Sequence, residues 1–246
     1  GMRDNAFRND LRGNLKIGYT PNKTDTYSLN YTYHDAEKGN PSYAGTDPLQ
    51  RERFWQWPEW KKQSLYFISQ TRTGDHARAR FRAFYNTYFN RLKSYDDASY
   101  TLQTRRYAFT SNHDDHSLGA NGEYLVRLGN HHHFKAVSQI RHDAHQEYNE
   151  GEPARNFADR TFSAGLEDLL RINDQFTLMA GISADHKWSL QAEDYHPADS
   201  TISDFPQHRA SALNAHLRGT MYLDSIQQLF ISVARKNSFP TMKERY

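Results

Sequence analysis

The chain has 246 residues and a formal net charge of +2, which gives no electrostatic case for a nucleic-acid partner. It has no cysteine, which excludes a disulfide framework and thiolate chemistry, and no apolar run approaches the 18 residues of a transmembrane helix. Hydrophobic residues are only 37%, yet aromatic residues reach 14%, so the chain is polar without the aromatic poverty of disorder.

The start, Gly1-Met2, reads as an appended junction with no signal peptide behind it, so the chain is expected to begin inside a longer gene product. Period-two alternation then dominates, and it predicts strands. From Asp10 to Thr20, Leu11, Leu15, Ile17 and Tyr19 share one face, and Arg12, Asn14 and Lys16 the other. After the turn Pro21–Asp25, Tyr27, Leu29, Tyr31 and Tyr33 oppose Ser28, Asn30, Thr32 and His34. Gln63–Thr71 is strand-like in content, but its apolar face is not evident. The pattern resumes at Ala77–Phe89, where Arg78, Arg80 and Arg82 form a basic ladder, and again at Ser117–Leu128 and Phe134–Ala144. It continues through Thr161–Leu170, Phe176–Lys187, Leu213–Leu223 and Leu229–Val233.

Short polar turns, Pro21–Asp25, Arg72–Asp75, Gly129–His132, Asn173–Gln175 and Asp224–Ser225, alternate with long loops. The long loops are Ala36–Pro58, Lys93–Asp114, Glu147–Asp159 and Ser189–Gln207. Tyr19, Tyr27, Phe134, Phe176 and Tyr222 collect near the short turns, as an interfacial aromatic girdle would. The predicted fold class is all-β, an antiparallel up-and-down meander of about ten strands forming part of a transmembrane β-barrel. A soluble β-sandwich or lipocalin-like barrel is the alternative, since both have one wet and one dry face.

Candidate chemistry is sparse. The stretch Arg51 to Trp60 holds Arg51, Arg53, Trp55, Trp57 and Trp60, which supply stacking surfaces and anion contacts for a large polar ligand. Packing over a barrel rim, or interfacial anchoring of the indoles, accounts for the same residues. His131-His132-His133 reads as a solvated turn, and His113-Asp114-Asp115-His116 as a charged rim, so no metal or other cofactor is assigned. No nucleophile–base–orienter set and no phosphate-cradling Gly-rich loop is present, and the chain is not read as an enzyme.

The segment Ser232 to Tyr246 carries a family likeness. A strand ends in Ser238-Phe239-Pro240 and is followed by Lys243-Glu244-Arg245-Tyr246. This resembles the TonB-dependent outer-membrane receptors, with the siderophore and vitamin B12 receptors closest in flavour. Trp57-Pro58-Glu59-Trp60-Lys61-Lys62-Gln63-Ser64 is similar to the same group. The resemblance implies an outer-membrane receptor that binds and imports a metal chelate (an iron siderophore) or a corrinoid-type ligand. It implies outer-membrane lipid and the TonB energy-coupling complex as partners. The family's plug domain and TonB-box are not visible, and its large members have 22 strands. Residues 1–246 are therefore expected to be a single β-barrel segment from the interior of a wall. A passive porin or a soluble β-barrel binding module remains the other reading. A lone segment has two unpaired edges and a broad apolar face. It is expected to close into a smaller barrel, pair edge to edge, or bury that face against another copy.

Overall fold

The alternation folds into strands with almost no other element. The computed structural model describes residues 3–41, 43–47, 49–50 and 52–242. Its strands are β1 (Arg8–Tyr19), β2 (Thr26–Gly39), β3 (Trp55–Gly74), β4 (Ala77–Ser94), β5 (Phe109–Leu128) and β6 (His132–Asn149). They continue as β7 (Arg155–Arg171), β8 (Phe176–His196), β9 (Thr201–Asp204), β10 (Arg209–Tyr222) and β11 (Gln228–Arg235). Ten of them pair antiparallel with their neighbours in the order β1-β2-β3-β4-β5-β6-β7-β8-β10-β11. The short β9 pairs only with the end of β8.

Register makes each strand's apolar face continuous with the next. Leu29 lies opposite Ile17 and Phe67, Ala83 opposite Phe67 and Ala120, and Ile140 opposite Ala120 and Phe162. Further along, Leu166 lies opposite Ala136 and Ile182, and Leu217 opposite Ala180 and Val233. This resolves β3, whose outward side chains are Leu65 and Phe67. On β4 the band runs from Ala77 to Tyr85, roughly 26 Å at about 3.3 Å per residue. At a strand tilt of about 40° that is about 20 Å of height, close to the apolar belt of outer-membrane barrels, about 25 Å tall.

Solvent exposure is inverted relative to a soluble fold. Leu166 is 62% exposed and Ile231 76%, whereas Asn112 is fully buried. Among the described residues the buried apolar side chains are only Ala36, Phe157 and Ala192. A sandwich or lipocalin-like barrel encloses its apolar side chains, and this sheet leaves them open. Closure on itself, one of the expected outcomes, does not occur. Among the described residues, strand β1 pairs only with β2, and β11 only with β10. The ten-stranded path leaves an edge at β1 and another at β11.

Connections differ from the sequence reading on one rim. The short turns fall where expected. All four long loops are shorter than expected, two of them drastically, because the strands continue past the apolar band. The expected loop Glu147–Asp159 reduces to 150–154, with Glu147 already paired to Arg155. Most of Ser189–Gln207 is the end of β8 folded against β9. Above the band neither side chain face is apolar, so alternation disappears while the backbone ladder persists. Tyr222 departs from the expected girdle. It sits opposite Gln228, on the parity of the polar face, whereas Met221 opposite Leu229 carries the apolar one. Tyr19 and Tyr27 do stack at the short-turn rim, 6.2 Å apart.

Candidate functional site

The tryptophan cluster begins at Pro58. Proline has no N–H to give a ladder, so a strand interior tolerates it only at an edge or a bulge. Register shifts on both sides of it, between Ala36 and Lys38 on β2 and between Gln56 and Glu59 along β3. The irregularity brings together residues three apart. Trp57 lies opposite Lys38 and Trp60 opposite Ala36, with the two indoles 6.2 Å apart and edge to face. Trp55 packs edge-on to Trp57 at 6.0 Å and donates its Nε1–H to Ser94 Oγ at 3.1 Å.

Cations sit between these rings. Lys38 Nζ is 3.6 Å from the Trp60 ring and 4.4 Å from the Trp57 ring. Arg53 lies 4.7 Å from Trp55, and Lys62 4.9 Å from Tyr88, which packs on Trp60 at 5.6 Å. The three indoles are half-buried and Arg53 is exposed. All of this lies beyond the apolar band. Burial holds the Lys38 ammonium below its ordinary range, and the neighbouring Arg8 and Lys62 charges add to that. Burial pushes the Tyr88 hydroxyl up to about 12. Four of the five sequence candidates, Arg53, Trp55, Trp57 and Trp60, are thus brought together, and Arg51 lies outside the described residues. Sequence reasoning missed Lys38, Lys62 and Tyr88, because only the β2–β3–β4 register reveals them. It also placed the cluster in a loop, whereas Trp55 opens β3 and the loop is confined to 40–54.

A second cluster occupies the polar face of β5 to β7, also beyond the apolar band. Pairing sets His113 opposite Glu147, Asp115 opposite His145, and Arg155 opposite Glu147. His145 is held by Asp115 at 2.5 Å and Glu147 at 3.3 Å. These two carboxylates raise the imidazole to about 9, Asp115 contributing most. Burial lowers His113, and the hydrogen bond to His145 leads in lowering Glu147. The run His113-Asp114-Asp115-His116 is split by the pleat. His116 and Asp114 belong to the opposite face, where His116 meets Tyr85 at 3.0 Å.

The remaining sequence features are absorbed locally. In the turn His131–His133, His131 meets the Arg171 carbonyl at 2.7 Å and His132 meets Asp168 at 2.7 Å. In the basic ladder, Arg80 pairs with Glu123 at 2.8 Å, and Arg82 lies 5.0 Å from the Tyr66 ring. After β11 the Asn237 amide donates to Asn214 Oδ1 at 2.7 Å, and the Pro240 carbonyl accepts from Lys187 Nζ at 2.9 Å. Ser238, Phe239 and Pro240 therefore lie across the polar face of β8 and β10. Lys243, Glu244, Arg245 and Tyr246 lie outside the described residues.

An open antiparallel meander, apolar on one face and charged on the other, is the architecture of a β-barrel wall. The fold is that of the wall of TonB-dependent receptors. The chain superposes on a copper transporter, OprC, with a TM-score of 0.75 at 13% identity, covering 96% of this chain and 38% of that one. It superposes on the unliganded ferric citrate transporter FecA with a TM-score of 0.70 at 15% identity, covering 94% and 36%. For the ferric-catecholate import receptor Fiu of E. coli K12, in its open form, the values are 0.72, 11%, 94% and 47%. The chain thus spans less than half the length of each of these proteins. No protein-family model and no curated protein matches the sequence.

Proposed function

We propose that the chain is a wall segment of an outer-membrane receptor of the TonB-dependent family, importing a metal chelate or a corrinoid-type ligand. In this reading residues 1–246 are one barrel segment, and the plug and the remaining strands belong to the rest of the protein. Energy comes from the TonB complex through regions outside this segment. The observation that carries the reading is the inverted exposure: a broad, exposed and predominantly apolar face backed by a charged one. Such a sheet is stable where lipid covers one face and water the other. The solved structures of the same fold include transporters and import receptors for copper, ferric citrate and ferric catecholate. That supports import as the task.

Within this reading, Arg53, Trp55, Trp57 and Trp60, with Lys38, form the ligand-contacting surface. Ring faces offer stacking, and the cations offer charge to an anionic chelate. Arg51 and the Ser238-Phe239-Pro240 to Tyr246 segment complete the set proposed from sequence.

The test is ligand capture by the purified protein in detergent. Ferric citrate, a ferric catecholate and cyanocobalamin are titrated against indole fluorescence. One of them is expected to quench saturably, and Trp60→Ala to weaken that binding at least tenfold. Saturation by none, together with passive ion conductance in planar bilayers, would replace the receptor by a porin.

A further inference from the structure

Three side chains on the polar face present ligand atoms to a common point. They are His113 from β5 and His145 and Glu147 from β6, and one ligand atom of each lies within 4.8 Å of the others. We propose that His113 Nδ1, His145 Nε2 and Glu147 Oε2 form a three-ligand site for a borderline divalent cation such as Zn²⁺, with a fourth position open to water. The site is independent of what the wall transports.

The cluster's outer partners argue for this more than its composition does. Each ligand is held from behind at its other polar atom. Asp115 Oδ1 lies 2.5 Å from His145 Nδ1, which directs Nε2 to Glu147 Oε2 at 3.3 Å. Ser111 Oγ lies 3.2 Å from His113 Nε2, which leaves Nδ1 facing Glu147 Oε2 at 3.7 Å. Arg155 Nη2 engages Glu147 Oε1 at 3.0 Å and leaves Oε2 to the cluster. Metal-bound histidines characteristically donate their second ring N–H to a carboxylate or another acceptor, and this fixes tautomer and orientation.

Geometry and ligand type narrow the ion. Ligands at about 2.0–2.1 Å from a tetrahedral Zn²⁺ sit about 3.4 Å apart, close to two of these separations. Closing the cluster takes ring rotations of about 1 Å at the ligand atoms. Two imidazoles disfavour Ca²⁺ and Mg²⁺, which take oxygen ligands. One carboxylate and no thiolate give a His₂Glu set, known from open, water-bearing zinc sites. Phe157, with its ring 5.8 Å from that of His145, closes one flank.

The test is calorimetric titration of Zn²⁺ into the detergent-purified protein carrying His131→Ala and His133→Ala, which removes the histidine-rich turn as a competitor. One Zn²⁺ per chain is expected. His113→Ala and His145→Ala should each weaken it at least about 100-fold, and Asp115→Asn about 10–100-fold. His216→Ala, a histidine elsewhere on the polar face, should leave it unchanged. Circular dichroism verifies the fold of each variant. If a histidine variant loses its strands, Glu147→Gln, which keeps an oxygen for Arg155, decides. The absence of stoichiometric Zn²⁺ binding overturns the site. So does binding that survives these ligand substitutions.

Discussion

Replacing Leu217 by arginine separates a membrane wall from a water-soluble sheet. Leu217 sits midway along the apolar run from Leu213 to Met221 on β10, and is 50% exposed. In water, such a surface change shifts stability by no more than about 0.5 kcal/mol. In a bilayer the arithmetic differs. Each end of the run is about 13 Å away along the strand, at about 3.3 Å per residue. A strand tilt of about 40° reduces that to about 10 Å of depth. An arginine stem that snorkels about 6 Å leaves the guanidinium below the interface. The expected cost is then about 2–4 kcal/mol, a shift of roughly 30- to 1000-fold in the folding constant. Gln139→Arg, on the polar face between Asn121 and Ser163, should cost no more than about 0.5 kcal/mol. The assay is equilibrium guanidinium unfolding of the protein in phosphatidylcholine vesicles, followed by tryptophan fluorescence. Equal stabilities for the two variants would refute the assignment of faces.

Three further outcomes are expected. Lys38→Met keeps the aliphatic stem but removes the charge between Trp57 and Trp60, and should cost about 1 kcal/mol in the same unfolding assay. No change would mean that the stacked cation contributes nothing. Gly119→Ala places a Cβ 2.5 Å from Phe84 Cζ and 2.9 Å from the Ile140 carbonyl, and should cost about 1–3 kcal/mol, whereas Gly122→Ala, with only Ser138 Oγ at 3.7 Å, should be mild. In the β10–β11 turn, the Asp224 carboxylate accepts from the Ile226 and Gln227 amides at 2.7 Å, which lowers its pKa. That support is present at neutral pH and is lost as pH falls below about 4 through the depressed pKa. The protection of the Ile226 and Gln227 amides, measured as exchange relative to the intrinsic rate at each pH, should fall there, and Asp224→Asn should abolish the acid-dependent part.

What the sequence discloses follows from how far each signal reaches along the chain. Alternation is local, so Leu11–Tyr19 or Phe176–Ala184 reveals both strand and face. It fails on β3, where Tyr66 and Ile68 are apolar on the same side as Ser64 and Gln70. Their partners Phe84 and Arg82 on β4 explain that, and they are distant in sequence. Alternation also fails above the band, which is why Glu147–Asp159 read as a loop. The candidate sites depend on register, which is not local. Trp57 and Trp60 should face apart by period two, and the irregularity at Pro58 joins them. His113 reads as the partner of Asp114 and His116, its sequence neighbours, and pleating gives it Glu147 instead.

The extended ladder has a consequence for recognition. Trp55, Trp57 and Trp60 stand on a paired strand rather than on a loop. A loop must be ordered when it grips a ligand, and that ordering subtracts from affinity. Rings already fixed by Ser94, Lys38 and Tyr88 carry little such penalty. Under the proposed function, recognition on this rim would therefore be preorganised. Selectivity would change by exchanging single side chains on a fixed lattice, one alternate position at a time, with the backbone unchanged.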